Sequence, residues 1–267
     1  MKLFTVGNIV LSSNAINLGT METLEAKQFC DIEQNSLVVC SCIDMNTTFA
    51  SFICETPKVR LVIVGTAMKK EVTFLLEKAA DRVLVLPYFD SFGSKKYLFS
   101  KLKNNEIAKK GILRFVQCGL LEDSDRCKAE IDFTFSSLFF LLIQEFGAVS
   151  TKYSKVFTDE DLLRFNAIVR MENGTIVFFE QKYSSQMLPN EYWEYAYRDG
   201  LLVSDGIKEM PLCILTEETK RNLDVFRISG SAEEVSSKLE HCSISFKKYI
   251  SVLQAHDMLE HFDEARN

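Results

Sequence analysis

The chain has 267 residues, 47% of them apolar, which is enough to bury one large core or two modest ones. Its 37 acidic and 31 basic side chains give a net charge of −6 with no basic block, which argues against nucleic acid or an anionic membrane as the main partner. The most apolar run, Leu138 to Ile143, is far shorter than the ~20 residues of a membrane span, and Asn8, Ser12, Ser13 and Asn14 interrupt the place of a secretory signal, so the reading is a cytoplasmic protein with no membrane segment.

In chain order, short apolar runs predict strands at 3–7, 37–43, 60–65 and 82–86. Between them, helical spacing covers Met21 to Ile32, Asn46 to Cys54 and Met68 to Ala80, and Lys95 to Asn105 then crosses to a further strand at 112–118. This alternation predicts a parallel sheet with crossover helices over residues 1–119. Residues 119–132 read as polar and irregular, followed by an apolar helix at about 133–146. The remainder reads as mainly antiparallel. Asn166 to Met171 and Thr175 to Tyr183 flank Asn173-Gly174, while Tyr192 to Tyr197 and Leu201 to Ser204 flank Asp199-Gly200, two dipeptides that tolerate positive φ in tight turns. Phe246, Tyr249, Ile250 and Leu253 share one face of a late helix. The fold class is therefore α/β followed by α+β: a Rossmann-like domain, then an antiparallel-sheet domain over 120–267 with helices on one face.

Gly7 closes the first strand where a dinucleotide-binding chain places its first phosphate-loop glycine. The next two glycine positions of G-x-G-x-x-G hold Ile9 and Ser12. Asp44, at the end of the 37–43 strand, suits either the ribose hydroxyls of a nucleotide or the cap of the next helix, and the cap is the preferred reading. Eight cysteines contain no C-x-x-C pair and mostly sit in apolar runs, as reduced core thiols do; Cys40 and Cys42 share a strand face. His256 and His261 stand five residues apart, about 140° around a helix, which does not suit a shared metal. Tyr192, Trp193, Tyr195 and Tyr197 read as sheet packing or a subunit contact, and Lys152 and Tyr153 as surface.

The order of these pieces resembles the glucose-fructose oxidoreductase/inositol dehydrogenase (Gfo/Idh/MocA) family over nearly the whole chain. The resemblance rests on the opening strand to Gly7, on Val62-Ile63-Val64-Gly65-Thr66 as the family's fourth strand, and on Arg82-Val83-Leu84-Val85-Leu86-Pro87 as its V-L-V-E-K-P strand. Asp132 to Gly147 is similar to its D-x-G-x-H-x-x-D helix; the Asn173-Gly174 hairpin, Tyr195 to Leu202 and the tail from Ala255 to Arg266 are similar to its second domain. The resemblance implies NAD or NADP in the first domain, with Gly7, Asp44 and Thr66 as candidate contacts, and oxidation or reduction of sugars, polyols or related carbonyls against the second sheet. It also implies reactive positions that this chain fills otherwise: Leu86 for the lysine of E-K-P, Ser136 for the histidine, Thr134 for the preceding glycine and Phe139 for the later aspartate. Leucine and phenylalanine accept no proton, and serine is a poor base. No catalytic residue and no metal ligand is assigned.

Three functions remain open at this point. The leading one is a catalytically degenerate oxidoreductase-like protein that binds or assembles, as a homo-oligomer or with a related oxidoreductase subunit, through the exposed face of its second sheet. The others are a divergent active NAD(P)-dependent oxidoreductase and a small-ligand sensor.

Overall fold

The structure, a computed structural model, describes residues 2–6, 16–17, 32, 35–41, 45–64, 70–86, 93–188, 190–204, 234, 237, 239–240, 243–256 and 258. The chain divides into two compact units, Met1–Tyr88 with Ile214–Ala255, and Phe89–Cys213 with His256–Asn267.

The first unit contains β1 (Leu3–Val6), β2 (Ile16–Asn17), β3 (Leu37–Ser41), β4 (Arg60–Val64) and β5 (Val83–Leu86), with β12 (Ile244–Ser245) near the C-terminus. Neighbours in the sheet run β12-β5-β4-β3-β1-β2; the first five strands are parallel and β12 is antiparallel on β5. Leu61, Val62, Ile63 and Val64 are all buried, as are Leu3, Phe4, Thr5 and Val6, so both faces of these strands are covered. That requirement explains their unbroken apolar runs. The strands expected at 3–7, 37–43, 60–65 and 82–86 thus lie in one sheet, while the helix expected at Met21 to Ile32 falls, but for Ile32, outside the described residues.

Helix α1 (Thr47–Glu55) is started by Asn46, whose side-chain oxygen accepts from Phe49 N at 2.8 Å. The cap anticipated at Asp44 is therefore made two residues later, where the chain already has the extended φ of −122° that a cap needs. The other end of α1 is held from a distance. The Arg82 guanidinium donates from one nitrogen to the carbonyls of Ile53, Thr56 and Val59 at 3.1, 2.8 and 3.2 Å, and from the other to Cys54 O at 3.3 Å. It supplies donors to two carbonyls of the last helical turn, Ile53 and Cys54, which have no partner within the helix, ties them to Thr56 and Val59 just beyond it, and puts a positive charge where the helix dipole is negative. Helix α2 (Lys70–Ala79) links β4 to β5.

The second unit starts with α3 (Gly93–Lys103) and β6 (Gly111–Leu120), followed by α4 (Ser124–Phe146), β7 (Val149–Asp159), β8 (Leu162–Met171), β9 (Ile176–Ser184), β10 (Asn190–Tyr197) and β11 (Gly200–Val203). Strand order is β11-β10-β6-β9-β8-β7. Here the structure corrects several expectations. The strand expected at 112–118 does not extend the first sheet; it sits near the middle of the second, antiparallel to β10 and parallel to β9, so this sheet is mixed. The stretch 119–132 is not irregular throughout, because α4 begins at Ser124, capped by the Asp123 carboxylate accepting from Asp125 N and Arg126 N at 2.9 and 3.3 Å. β7 was not anticipated, and it forms the sheet edge.

Both expected hairpins are present. In the first, Gly174 has φ +89°, and Asn173 locks the turn by accepting from Thr175 N at 2.9 Å and donating to Lys109 O at 2.6 Å. In the second, Tyr197 pairs with Gly200, and neither Asp199 nor Gly200 has positive φ. The core lies between α4 and the inner sheet face: Phe135 meets Phe139, Phe179 and Phe165 at centroid distances of 4.4, 5.0 and 5.2 Å, and Phe115 stacks on Phe179 at 5.2 Å. Trp193 and Tyr195 are buried on the same face, as sheet packing requires. The late helix, α5 (Phe246–Gln254), buries Phe246, Tyr249, Ile250 and Leu253.

Candidate functional site

Parallel α/β sheets bind ligands beyond the carboxyl ends of their strands, where the strand order reverses. In the first unit that reversal lies between β1 and β3. Gly7, Asp44 and Thr66 follow the carboxyl-end segments of β1, β3 and β4, although they, with Ile9 and Ser12, lie outside the described residues. Sheet order bears on Asp44 all the same. In the dinucleotide order 3-2-1-4-5-6 the ribose acid follows the second strand, while the fourth borders the first strand on its other side. Here β2 occupies one flank of β1, and β3, the strand leading to Asp44, occupies the flank from which β4 and β5 continue.

Three positions matched to reactive residues on motif order, Leu86, Ser136 and Phe139, are described, and each serves packing. Because β3, not β4, borders β1 on the fourth-strand side, Val62 to Thr66 is not the fourth strand, and Leu86 on β5 stands one strand beyond the place of the E-K-P lysine. Leu86 is fully buried in β5. Phe139 lies within the aromatic core, 4.4 Å from Phe135 and 6.4 Å from Phe179 between ring centroids. Ser136, with no exposed surface, donates from Oγ to the backbone carbonyl of Met258 at 2.9 Å, and Met258 is itself fully buried. The Ser136 hydroxyl is therefore engaged by the tail, which returns to the second unit after α5.

A polar cluster that the sequence reading missed lies on the α4-covered side of the second sheet. Gln181 Nε2 donates to Gln117 Oε1 at 2.5 Å across the β6–β9 pair and makes a longer 3.4 Å contact with the Tyr183 hydroxyl. Tyr183 in turn hydrogen-bonds Glu130 of α4. Burial pushes the Glu130 carboxyl up to about 7, against the smaller lowering effects of the Tyr183 hydrogen bond and the Arg126 charge, whose Nε lies 3.9 Å away. Gly119 makes room for this arrangement: a Cβ there would stand 2.7 Å from a Tyr183 ring carbon. One signal was legible. The inward phase of β9 reads Val177, Phe179, Gln181, Tyr183, turning polar at one end; Glu130 was hidden by reading its segment as loop.

The opposite face of this sheet is open among the described residues. One row crosses all six strands as Tyr153, Ile168, Phe178, Arg114, Glu194 and Val203, with Tyr153 63% exposed. Ile112 and Leu201 add exposed apolar area beside it. Arg164 pairs with Glu180 at 2.9 Å, Tyr192 donates to Glu194 at 2.5 Å, and Lys155 stands 4.6 Å over the Phe157 ring.

This combination of a Rossmann-like unit and a mixed-sheet unit backed by a long helix recurs in solved structures of dehydrogenases. Myo-inositol 2-dehydrogenase from Lactobacillus plantarum superposes with TM-score 0.66 at 10% identity, covering 96% of this chain and 96% of that one. A dehydrogenase from Chromobacterium violaceum gives 0.61 at 9% identity, covering 97% and 86%, and a protein of gentamicin A biosynthesis solved in complex with NAD gives 0.63 at 10%, covering 97% and 93%. No protein-family model and no curated protein matches the chain. The fold is thus that of the Gfo/Idh/MocA-type dehydrogenases, with an oxidoreductase-like scaffold. Among the described residues no helix is long and apolar enough to cross a membrane, and no group of three or more metal-ligating side chains occurs.

Proposed function

We propose that this chain is a catalytically degenerate member of the dehydrogenase fold, a binding or assembly subunit rather than a turnover enzyme. The observation that carries this reading is Ser136, at the family's histidine position, with its hydroxyl committed to the Met258 carbonyl. Phe139, buried where the resemblance expects an aspartate, supports it, since it cannot take a carbinol proton. Assembly runs through the open face of the second sheet, toward a second copy or a related dehydrogenase subunit; its exposed apolar row favours burial against a partner. The setting is cytoplasmic, which fits Cys54, Cys118 and Cys127 being free thiols.

Titration calorimetry with NAD(H) and NADP(H), turnover assays on sugars and polyols, and light scattering test the reading together. It expects an oligomer and no coenzyme-linked turnover. Robust turnover, lost on substituting a cleft residue, would replace it with a divergent NAD(P)-dependent oxidoreductase acting on a sugar, polyol or related carbonyl. That second reading draws its support from Glu130, a carboxyl near neutrality beside a phenol.

A further inference from the structure

We propose that Glu130 is a proton-operated latch between α4 and the second sheet, released as its carboxyl ionises. The latch is a hydrogen-bonded chain through three elements: Gln117 on β6, Gln181 and Tyr183 on β9, and Glu130 in the second turn of α4. Gln181 is fully buried and Tyr183 nearly so, and the Glu130 side chain keeps only 22% of its surface exposed. Among the described residues, an ionised carboxylate in this position has one adjacent cation, Arg126 on its own helix at 3.9 Å, and a second carboxylate, Glu122, ahead of the helix. From β9 the titratable neighbour is the Tyr183 phenol, and on the helix the Cys127 thiol, itself held protonated by burial first and by Glu130 among smaller causes. The neutral carboxyl suits the buried seat; the ionised one is drawn toward water, and the first turns of α4 loosen from the ends of β6 and β9.

The sign follows from linkage. Below pH 4.5 the carboxyl is neutral both seated and released, and the contact has its full strength. As pH rises, the released form ionises first, so stability is lost progressively until the seated group ionises at about 7. Corrected for intrinsic exchange, hydrogen-exchange protection of α4 amides near Glu130 should fall about tenfold between pH 6 and pH 8. Glu130→Gln should abolish that fall. Tyr183→Phe removes a hydrogen bond that lowers the Glu130 pKa, so its fall over the same interval should be steeper than in the parent, an effect that lost packing alone does not give. Exchange mass spectrometry on the full chain at pH 6, 7 and 8 decides. Unchanged protection in the parent, the same fall in Glu130→Gln, or an unsteepened fall in Tyr183→Phe would each overturn the latch.

Discussion

Replacing Ser136 with alanine separates a structural serine from a chemical one. The Oγ bond to Met258 O is 2.9 Å long and both residues are fully buried, so the truncation leaves a carbonyl without its donor in a place water does not reach. Orphaning a buried acceptor costs about 1–3 kcal/mol. At roughly 2–4 °C per kcal/mol for a chain of this size, the thermal midpoint should drop by ~2–12 °C. Ser136→His, which inserts the residue the resemblance implies here, should also destabilise, by ~1–3 kcal/mol, because the imidazole overfills a packed position, and it should bring no coenzyme-linked turnover. Calorimetry reports the midpoints, and urea titration at unchanged slope confirms that only stability has moved. A Ser136→Ala protein as stable as the parent, or one that keeps its fold but loses a turnover the parent shows, would refute the reasoning.

Arg82→Ala withdraws four donated contacts from the end of α1 and the loop after it, and should cost ~1.5–3 kcal/mol in urea unfolding, with Arg82→Lys intermediate because an ammonium cannot span four carbonyls. An Arg82→Lys protein as stable as the parent would count against the clamp. Gly119→Ala forces the Tyr183 ring aside and should cost ~1–3 kcal/mol, checked by thermal denaturation beside Tyr183→Phe, whose background should shrink the penalty little because the ring remains. The Cys127 thiol, pushed up to about 12 chiefly by burial, should stay unmodified by iodoacetamide at pH 8 after Cys54 and Cys118 have reacted, as peptide mass spectrometry would show.

Much of the fold was written in local pattern. β3, β4 and β5 were legible because strands buried on both faces need continuous apolar runs, and the turn at Gly174 because few residues accept φ +89°. The misplaced strand β6 shows where such reading ends: a strand following a helix has the local signature of a βαβ crossover, and nothing within its ten residues says which sheet will hold it. The early start of α4 was missed because Arg126, Glu130 and Asp132 look like loop polarity until Asp123 is recognised as a cap. β7 was missed because an edge strand with Ser, Thr and Lys along it lacks the apolar run of a central one. At the site, Leu86, Ser136 and Phe139 were assigned from motif order alone, and Leu86 shows its weakness: two successive apolar strands look alike along the chain, and only the sheet order tells the fifth from the sixth. Glu130, Tyr183, Gln181 and Gln117 converge only once β6 and β9 are paired, so their cluster has no signature along the chain.

The middle position of β6 sets a timetable for the growing chain. Made before every other strand of its sheet, it is flanked at the end by β9 on one side and β10 on the other. While the ribosome works through β7 and β8, which pair with each other, β6 keeps both hydrogen-bonding edges open and its Leu113 and Phe115 without their sheet neighbours. Contacts so distant along the chain form slowly, and unpaired edges invite other strands in the meantime. The second unit therefore closes late, first along the β9 edge and then along the β10 edge, and a chain released before Tyr197 carries a strand with one edge unsealed.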